Sequence, residues 1–155
     1  MSQIQRWDWK LWTDLSRDTL YEILKLRQAV FIVEQNCPYL DADGQDIHAA
    51  HVLGWDSQER LIAYSRVFYP HPPDQTAVIG RVIVHPDYRG QQLGVQLMRK
   101  SEFLARQNSS SPMTHFALSA QAHLQDFYGH LGYHVYGDGY DEDGIPHLPM
   151  KKKLE

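Results

Sequence analysis

The stretch from Gly80 to Arg106 constrains this chain more than any other. Val82, Ile83 and Val84 form an unbroken β-branched run, as a strand buried on both faces requires. His85-Pro86-Asp87 ends it, because proline lacks the N–H a ladder needs and turns the residue before it away from helix. Beyond Gly94, the residues Leu97, Met98, Leu104 and Ala105 recur at helical spacing. A strand therefore runs into a basic, glycine-containing loop, Arg89-Gly90-Gln91-Gln92-Leu93-Gly94-Val95, that opens a helix. The first amides of such a helix lack intrahelical partners and sit at the positive end of its dipole, which suits an anion such as a pyrophosphate. The loop is neither a P-loop nor a dinucleotide fingerprint: no Gly-Lys-Ser/Thr closes it, and Gly-x-Gly-x-x-Gly is absent.

The wider stretch resembles the acetyl-CoA-binding motif of the GNAT N-acetyltransferases. Arg89, Gly90, Gln91, Gln92, Leu93 and Gly94 occupy that family's Arg/Gln-x-x-Gly-x-Gly/Ala loop, after a typical Val-His-Pro-Asp-Tyr-Arg-Gly lead-in. Gln92 stands where the family usually has glycine, so its Cβ must be accommodated beside the pyrophosphate. A second segment, Gln121 to Tyr133, is similar to the family's Asn-x-x-Ala-x-x-(aromatic/apolar)-Tyr-x-x-x-Gly-Phe. Gln121 replaces the usual Asn, Leu124 the usual Ala, and Tyr133 the common Phe. The resemblance places Tyr128 on the family's frequent general acid and adds Gln121 and Tyr128 to the cofactor contacts. A phenol (pKa near ~10) and a thiol (near ~8.5) are close enough in proton affinity for Tyr128 to share a proton with a leaving sulfur.

The same resemblance implies that the Val82-Ile83-Val84 strand parts from its parallel neighbour and lends its main chain to the pantetheine arm. One of its N–H groups would polarise the acetyl carbonyl. From about Tyr21 to Met150 the similarity is to the ElaA-like branch of the family, through Val30 to Tyr39, Asp41-Ala42-Asp43-Gly44 and Asp141 to His147.

In chain order, Trp7, Trp9 and Leu11 alternate with polar residues as a first strand. A helix follows, with a Thr19/Glu22 capping box and Leu20, Ile23, Leu24, Arg27, Val30 and Phe31 on one face, running down near Glu34-Gln35. Asp41 to Asp46 is acidic but fails as a calcium loop, since Asp46 and Val52 stand where glycine and glutamate are required. A solvated turn is expected there, or carboxylates that attract a cationic substrate at long range. Val52–Trp55 and Leu61–Tyr69 read as an antiparallel hairpin, His71 to Asp74 as a loop, and Phe116–Leu118 as a short strand. Ala120–Leu131 reads as a short helix closed by Gly132, and Tyr133–Tyr136 as a strand. Gly137 to Pro146 is expected to be a loop, His147–Met150 a last strand, and Lys151-Lys152-Lys153 a solvated tail. The incomplete alternation excludes a purely parallel α/β fold. A mixed α/β (α+β) sheet with helices on both faces is expected, in a single domain over residues 1–155, and this is also the order the GNAT resemblance implies.

The net charge of −4 over 155 residues argues against a general nucleic-acid binder. The lone Cys37 excludes an internal disulfide, and no apolar run is long enough to span a membrane. With no signal-peptide core at the N-terminus, a cytoplasmic protein is expected.

Glu34 is the first candidate for a general base or amine anchor, provided burial raises its pKa. His51 and His147 are further acceptor-side candidates, with Cys37 behind them. A metal pair at His48 and His51 lacks a third ligand fixed by spacing, so no metal is expected, although a hydrolase using these histidines and the aspartates is a rival reading. The leading expectation is acetyl transfer from acetyl-CoA to a primary amine of a small molecule or peptide. A non-catalytic acyl-CoA-binding module of the same fold is the alternative. Acetyl-CoA and an amine are the expected partners, with no nucleic acid and no membrane, and a homodimer is left open.

Overall fold

A computed structural model describes residues 3–70 and 73–155. Met1, Ser2 and the His71-Pro72 part of the expected loop lie outside the described residues. The strands are β1 (Arg6–Leu11), β2 (Ala50–Trp55), β3 (Leu61–Phe68), β4 (Thr76–Val84), β5 (His115–Gln121), β6 (His134–Val135), β7 (Tyr140–Glu142) and β8 (Ile145–Lys153). The α-helices are α1 (Arg17–Arg27), α2 (Leu93–Asn108) and α3 (Gln125–His130), and α1 continues as a π-helical segment over Gln28–Glu34. Ser16 caps α1, its Oγ accepting from the Thr19 N–H at 3.1 Å. The expected Thr19/Glu22 box is one turn too late, because Ser16 already holds the extended backbone a cap needs.

The sheet runs β1-β2-β3-β4-β5-β8-β6, with β7 hung on β8. All pairs are antiparallel except β4 with β5, so the expected mixed sheet is present. One face carries a core of Leu93, Leu97 and Met98 of α2 with Tyr128 and Tyr133. The other packs Ile23, Leu26 and Val30 against Leu53, Tyr64 and Ile83. Helices thus cover both faces, as expected.

Two terminal expectations are corrected. The Gly137–Pro146 stretch contains β7, which turns into β8 through Asp143 and Gly144, both at positive φ (53° and 84°), the geometry of a tight hairpin. Lys151–Lys153 is no free tail but the end of β8, in register with Ala117, Phe116 and His115. Lys152 is fixed there by Glu102 at 2.8 Å, and Glu102 also accepts from the Tyr133 hydroxyl at 2.8 Å.

Candidate cofactor and acceptor site

The site is built on a fault in β4. Its register with β3 shifts between Gly80↔Arg66 and Ile83↔Tyr64, so Arg81 and Val82 together oppose Ser65. This is a bulge, and Arg81 takes a left-handed φ of 49° in it. The extra residue changes which side chains face which core. Ala77 and Ile79 pack toward α2 before the bulge; after it Val82 and Val84 do so, while Ile83 turns to the α1 face.

Main-chain directions follow. His85 donates its N–H to the Ile62 carbonyl at 2.8 Å, so by antiparallel alternation Ile83 also bonds to β3. The main-chain groups of Val82 and Val84 face the other way, toward β5. The pairing of β4 with β5 has ended at Val78↔Ala117, and β5 continues alongside β8 alone. The strands therefore part around Val82 and Val84. Ile83 drops out as a main-chain contact for a pantetheine arm, because its groups serve the β3 ladder.

At the mouth of this cleft stands the loop. Gly90 has φ 83° and Gln92 φ 59°, the latter as the residue preceding α2, with no side-chain cap bond. The left-handed turn aims the first amides of α2, those of Leu93, Gly94 and Val95, out of the helix end. A Cβ at Gly94 would lie 3.2 Å from Phe127 Cζ, so the ring would have to give a few tenths of an ångström to admit one. Gln91 is exposed beside them. Arg89 does not reach freely into solvent. Its Nε donates to the Val84 carbonyl at 3.1 Å, and its two terminal nitrogens grip the Glu34 carboxylate at 2.5 and 3.0 Å.

That grip revises the condition set for Glu34. The hydrogen bonds from Arg89 hold its carboxyl below the usual range, so burial does not raise it. Beside it, the Gln121 side-chain amide donates to Gln35 Oε1 at 3.3 Å, tying the end of β5 to the end of the π-helical segment. Tyr128 has its ring edge-on to Phe127 and Tyr133 and is only 7% exposed. Burial pushes its pKa up to about 12. Its hydroxyl has no protein hydrogen-bond partner among the described residues.

His147 is buried in β8, with Nδ1 2.7 Å from the Ile145 carbonyl and Nε2 3.2 Å from Glu142. Its ring stacks on Tyr140, whose hydroxyl bonds Ser119 of β5. Cys37 donates its S–H to the Asp143 carbonyl at 3.1 Å, which locks the segment after Glu34 to the β7–β8 turn.

His51 is not brought to the site. It is fully buried, with Nδ1 2.6 Å from the Tyr64 hydroxyl and Nε2 3.0 Å from the Asp46 carbonyl. Burial lowers its pKa and leaves it no face for an acceptor. Both ring nitrogens are occupied, which also removes the His48/His51 metal pair. Among the described residues no group of three or more His, Cys, Asp or Glu is placed to hold a metal ion.

The acidic loop is corrected as well. Asp41 and Asp46 are buried and, with the partly exposed Asp43, bind three arginines. Arg27 reaches Asp41 and Asp46 at 2.7 Å each, Arg66 reaches Asp43 and Asp46 at 2.9 Å each, and Arg81 reaches Asp41 at 2.8 Å. Three carboxylates facing three guanidinium groups leave little field for attracting a distant cation. The sequence held one signal for this cluster: Arg27 sits on the apolar stripe of α1, where an arginine must find a buried partner.

A family model described as the acetyltransferase (GNAT) domain matches residues 32–154. The chain belongs to the GNAT acetyltransferase family. Within it, this GNAT protein is 44% identical over 144 residues to protein ElaA of Escherichia coli strain K12, covering 92% of each chain. The crystal structure of Escherichia coli ElaA superimposes with a TM-score of 0.85 at 41% identity, covering 95% of this chain and 98% of that one. An acyl-CoA N-acyltransferase from Pseudomonas aeruginosa gives a TM-score of 0.85 at 39% identity, over 95% and 99% of the two chains. An aminoglycoside 6'-N-acetyltransferase complexed with coenzyme A shares the fold alone, with a TM-score of 0.70 at 14% identity, over 94% and 96% of the chains. The parting of β4 from β5 thus lies within a GNAT-family fold.

Proposed function

We propose that this protein is an N-acetyltransferase that takes acetyl-CoA as co-substrate and a primary amine of a small molecule or peptide as acceptor. The observation that carries the reading is the parting of β4 from β5, with Val82 and Val84 turned into the gap at the amino end of α2. A pantetheine arm needs alternating donors and acceptors along an extended line, and a strand edge offers them. A pyrophosphate needs several converging N–H groups, and the Gly90 to Val95 turn offers those.

Acetyl-CoA, when bound, supplies the acetyl group as a reactive thioester. Val82 and Val84 bind along the arm, and a Val82 or Val84 N–H polarises the acetyl carbonyl from a fixed position. Arg89 and the amides of Leu93, Gly94 and Val95 hold the diphosphate, which draws Arg89 away from Glu34. Glu34, released, accepts a proton from the acceptor ammonium directly or through water. The neutral nitrogen bonds to the acetyl carbon as the carbon–sulfur bond breaks; Tyr128 offers its hydroxyl proton to the departing sulfur and regains one through water from the proton that the new amide nitrogen sheds. With its pKa pushed up to about 12, Tyr128 remains protonated near neutral pH and acts by hydrogen-bonding that sulfur as charge develops. His147, stacked on Tyr140, and the exposed carboxylates of Asp141, Glu142 and Asp143 form the acceptor side and favour a cationic amine.

The test is release of CoA across a panel of polyamines, amino acids and peptides. Turnover with one acceptor class, abolished by excess product CoA, is the expected result. Stoichiometric CoA binding with no release by any acceptor would contradict it and favour the non-catalytic module, in which Arg89 stays paired with Glu34.

A further inference from the structure

Resting on the cofactor reading above, we infer that Asp41 is a positioning residue for that cofactor. It anchors Arg81 in the left-handed conformation that turns Val82 and Val84 into the cleft. Arginine has no intrinsic liking for φ 49°, where its Cβ crowds the backbone; glycine would sit there freely. The bulge therefore needs an external hold.

Asp41, 40 residues earlier in the chain, supplies it. Its Oδ1 accepts from Arg81 Nε at 2.8 Å and its carbonyl from an Arg81 terminal nitrogen at 3.1 Å. Asp41 is itself immobilised. Arg27 of α1, fully buried, donates to its Oδ2 at 2.7 Å and to its carbonyl at 2.8 Å, and the Tyr39 hydroxyl donates to Oδ1 at 3.1 Å. The Tyr39 ring flanks the Arg81 guanidinium at 5.8 Å. Every fixed point on this path leads from α1, through Asp41, to the one residue whose conformation sets the phase of the strand after it. If Arg81 relaxed to an extended backbone, the alternation would move by one residue. Ile83, now on the α1 face, would then turn toward α2, and Val82 and Val84 would turn their main-chain groups to β3.

Arg81→Ala and Arg81→Gly separate this from mere loss of ion pairs. Both remove the guanidinium and leave the Arg27–Asp41 pair in place; only glycine accepts the left-handed φ without strain. Calorimetry should show Arg81→Ala binding CoA about tenfold more weakly than Arg81→Gly. Asp41→Asn alone should weaken CoA similarly, and Asp41→Asn combined with Arg81→Gly should recover the affinity of Arg81→Gly, whatever stability both lose. Amide exchange on the ligand-free proteins gives a second readout. Ile83 should be protected, and Val82 and Val84 should exchange fast, in wild type and Arg81→Gly; Arg81→Ala should lose that alternation. Equal CoA affinity and equal exchange patterns in the alanine and glycine variants would overturn the inference. Absence of CoA binding in wild type would instead overturn the cofactor reading, and the exchange pattern would still decide whether the tether sets the phase of the strand.

Discussion

Arg89 and Glu34 form a two-pronged ion pair at 2.5 and 3.0 Å across the mouth of the cleft, and each partner is about 40% exposed (42% and 40%). On the proposed reading, one residue belongs to the loop that holds the diphosphate and the other to the segment that meets the acceptor. The pair therefore places the two substrates in competition for one bond. Glu34→Gln should bind CoA more tightly, by no more than about fivefold, because an exposed pair of this kind contributes little. The same variant should lower kcat by about tenfold or more, through loss of the proton acceptor. Titration calorimetry and steady-state kinetics check the two halves separately.

Tyr128→Phe should lower kcat about a hundredfold with little change in KM for acetyl-CoA or in Tm. Its hydroxyl has no protein partner among the described residues, so its removal leaves no broken bond in the core. Since burial raises the Tyr128 pKa to about 12, the wild-type rate should show no alkaline fall from this group below about pH 10. Rate–pH profiles of both proteins provide the check.

Gln92→Gly should stabilise the fold by about 0.5–1 kcal/mol. Relief of a left-handed φ of 59° outweighs the greater freedom glycine gains in the unfolded chain. Urea unfolding with an unchanged slope would confirm the gain. The variant should also bind CoA at least as tightly as wild type, since a Cβ is removed beside the proposed diphosphate seat.

Acid should unfold the protein through the arginine–aspartate cluster. Burial disfavours the charged form of Asp43, but hydrogen bonds from Arg66 and the Gln45 amide outweigh it and hold the carboxyl at about 2, against 3.8 ordinarily. Asp46 is likewise buried and is lowered by Arg27 and Arg66. A carboxyl whose folded-state pKa is depressed contributes full stability above its unfolded value and loses it as pH falls through the folded one. Stability should therefore fall between about pH 4 and pH 2, and Asp43→Asn should flatten that limb. Chemical denaturation at a series of pH values measures it.

Much of this was legible in residue order. Val82 to Val84, the Arg89 to Val95 turn and the Leu97/Met98 stripe follow from local propensity and spacing, and they lie where such patterns place them. The phase of β4 was not legible. It depends on Arg81 adopting a conformation that its side chain disfavours, held by Asp41 from 40 positions away. For the same reason the acidic loop reads as a solvated turn when its arginine partners, Arg27, Arg66 and Arg81, lie on three other elements. Glu34 passes as a free helix-end carboxylate because Arg89 stands 55 residues on. His51 looks available in a sequence because nothing local shows that Tyr64 and the Asp46 carbonyl enclose it.

Calorimetric titration of the purified protein with acetyl-CoA, in parallel with Arg89→Ala, decides whether the loop before α2 holds the co-substrate. One site per chain with a micromolar Kd is expected, weakened about tenfold or more by the substitution. No heat at millimolar acetyl-CoA, or binding indifferent to Arg89, would contradict it.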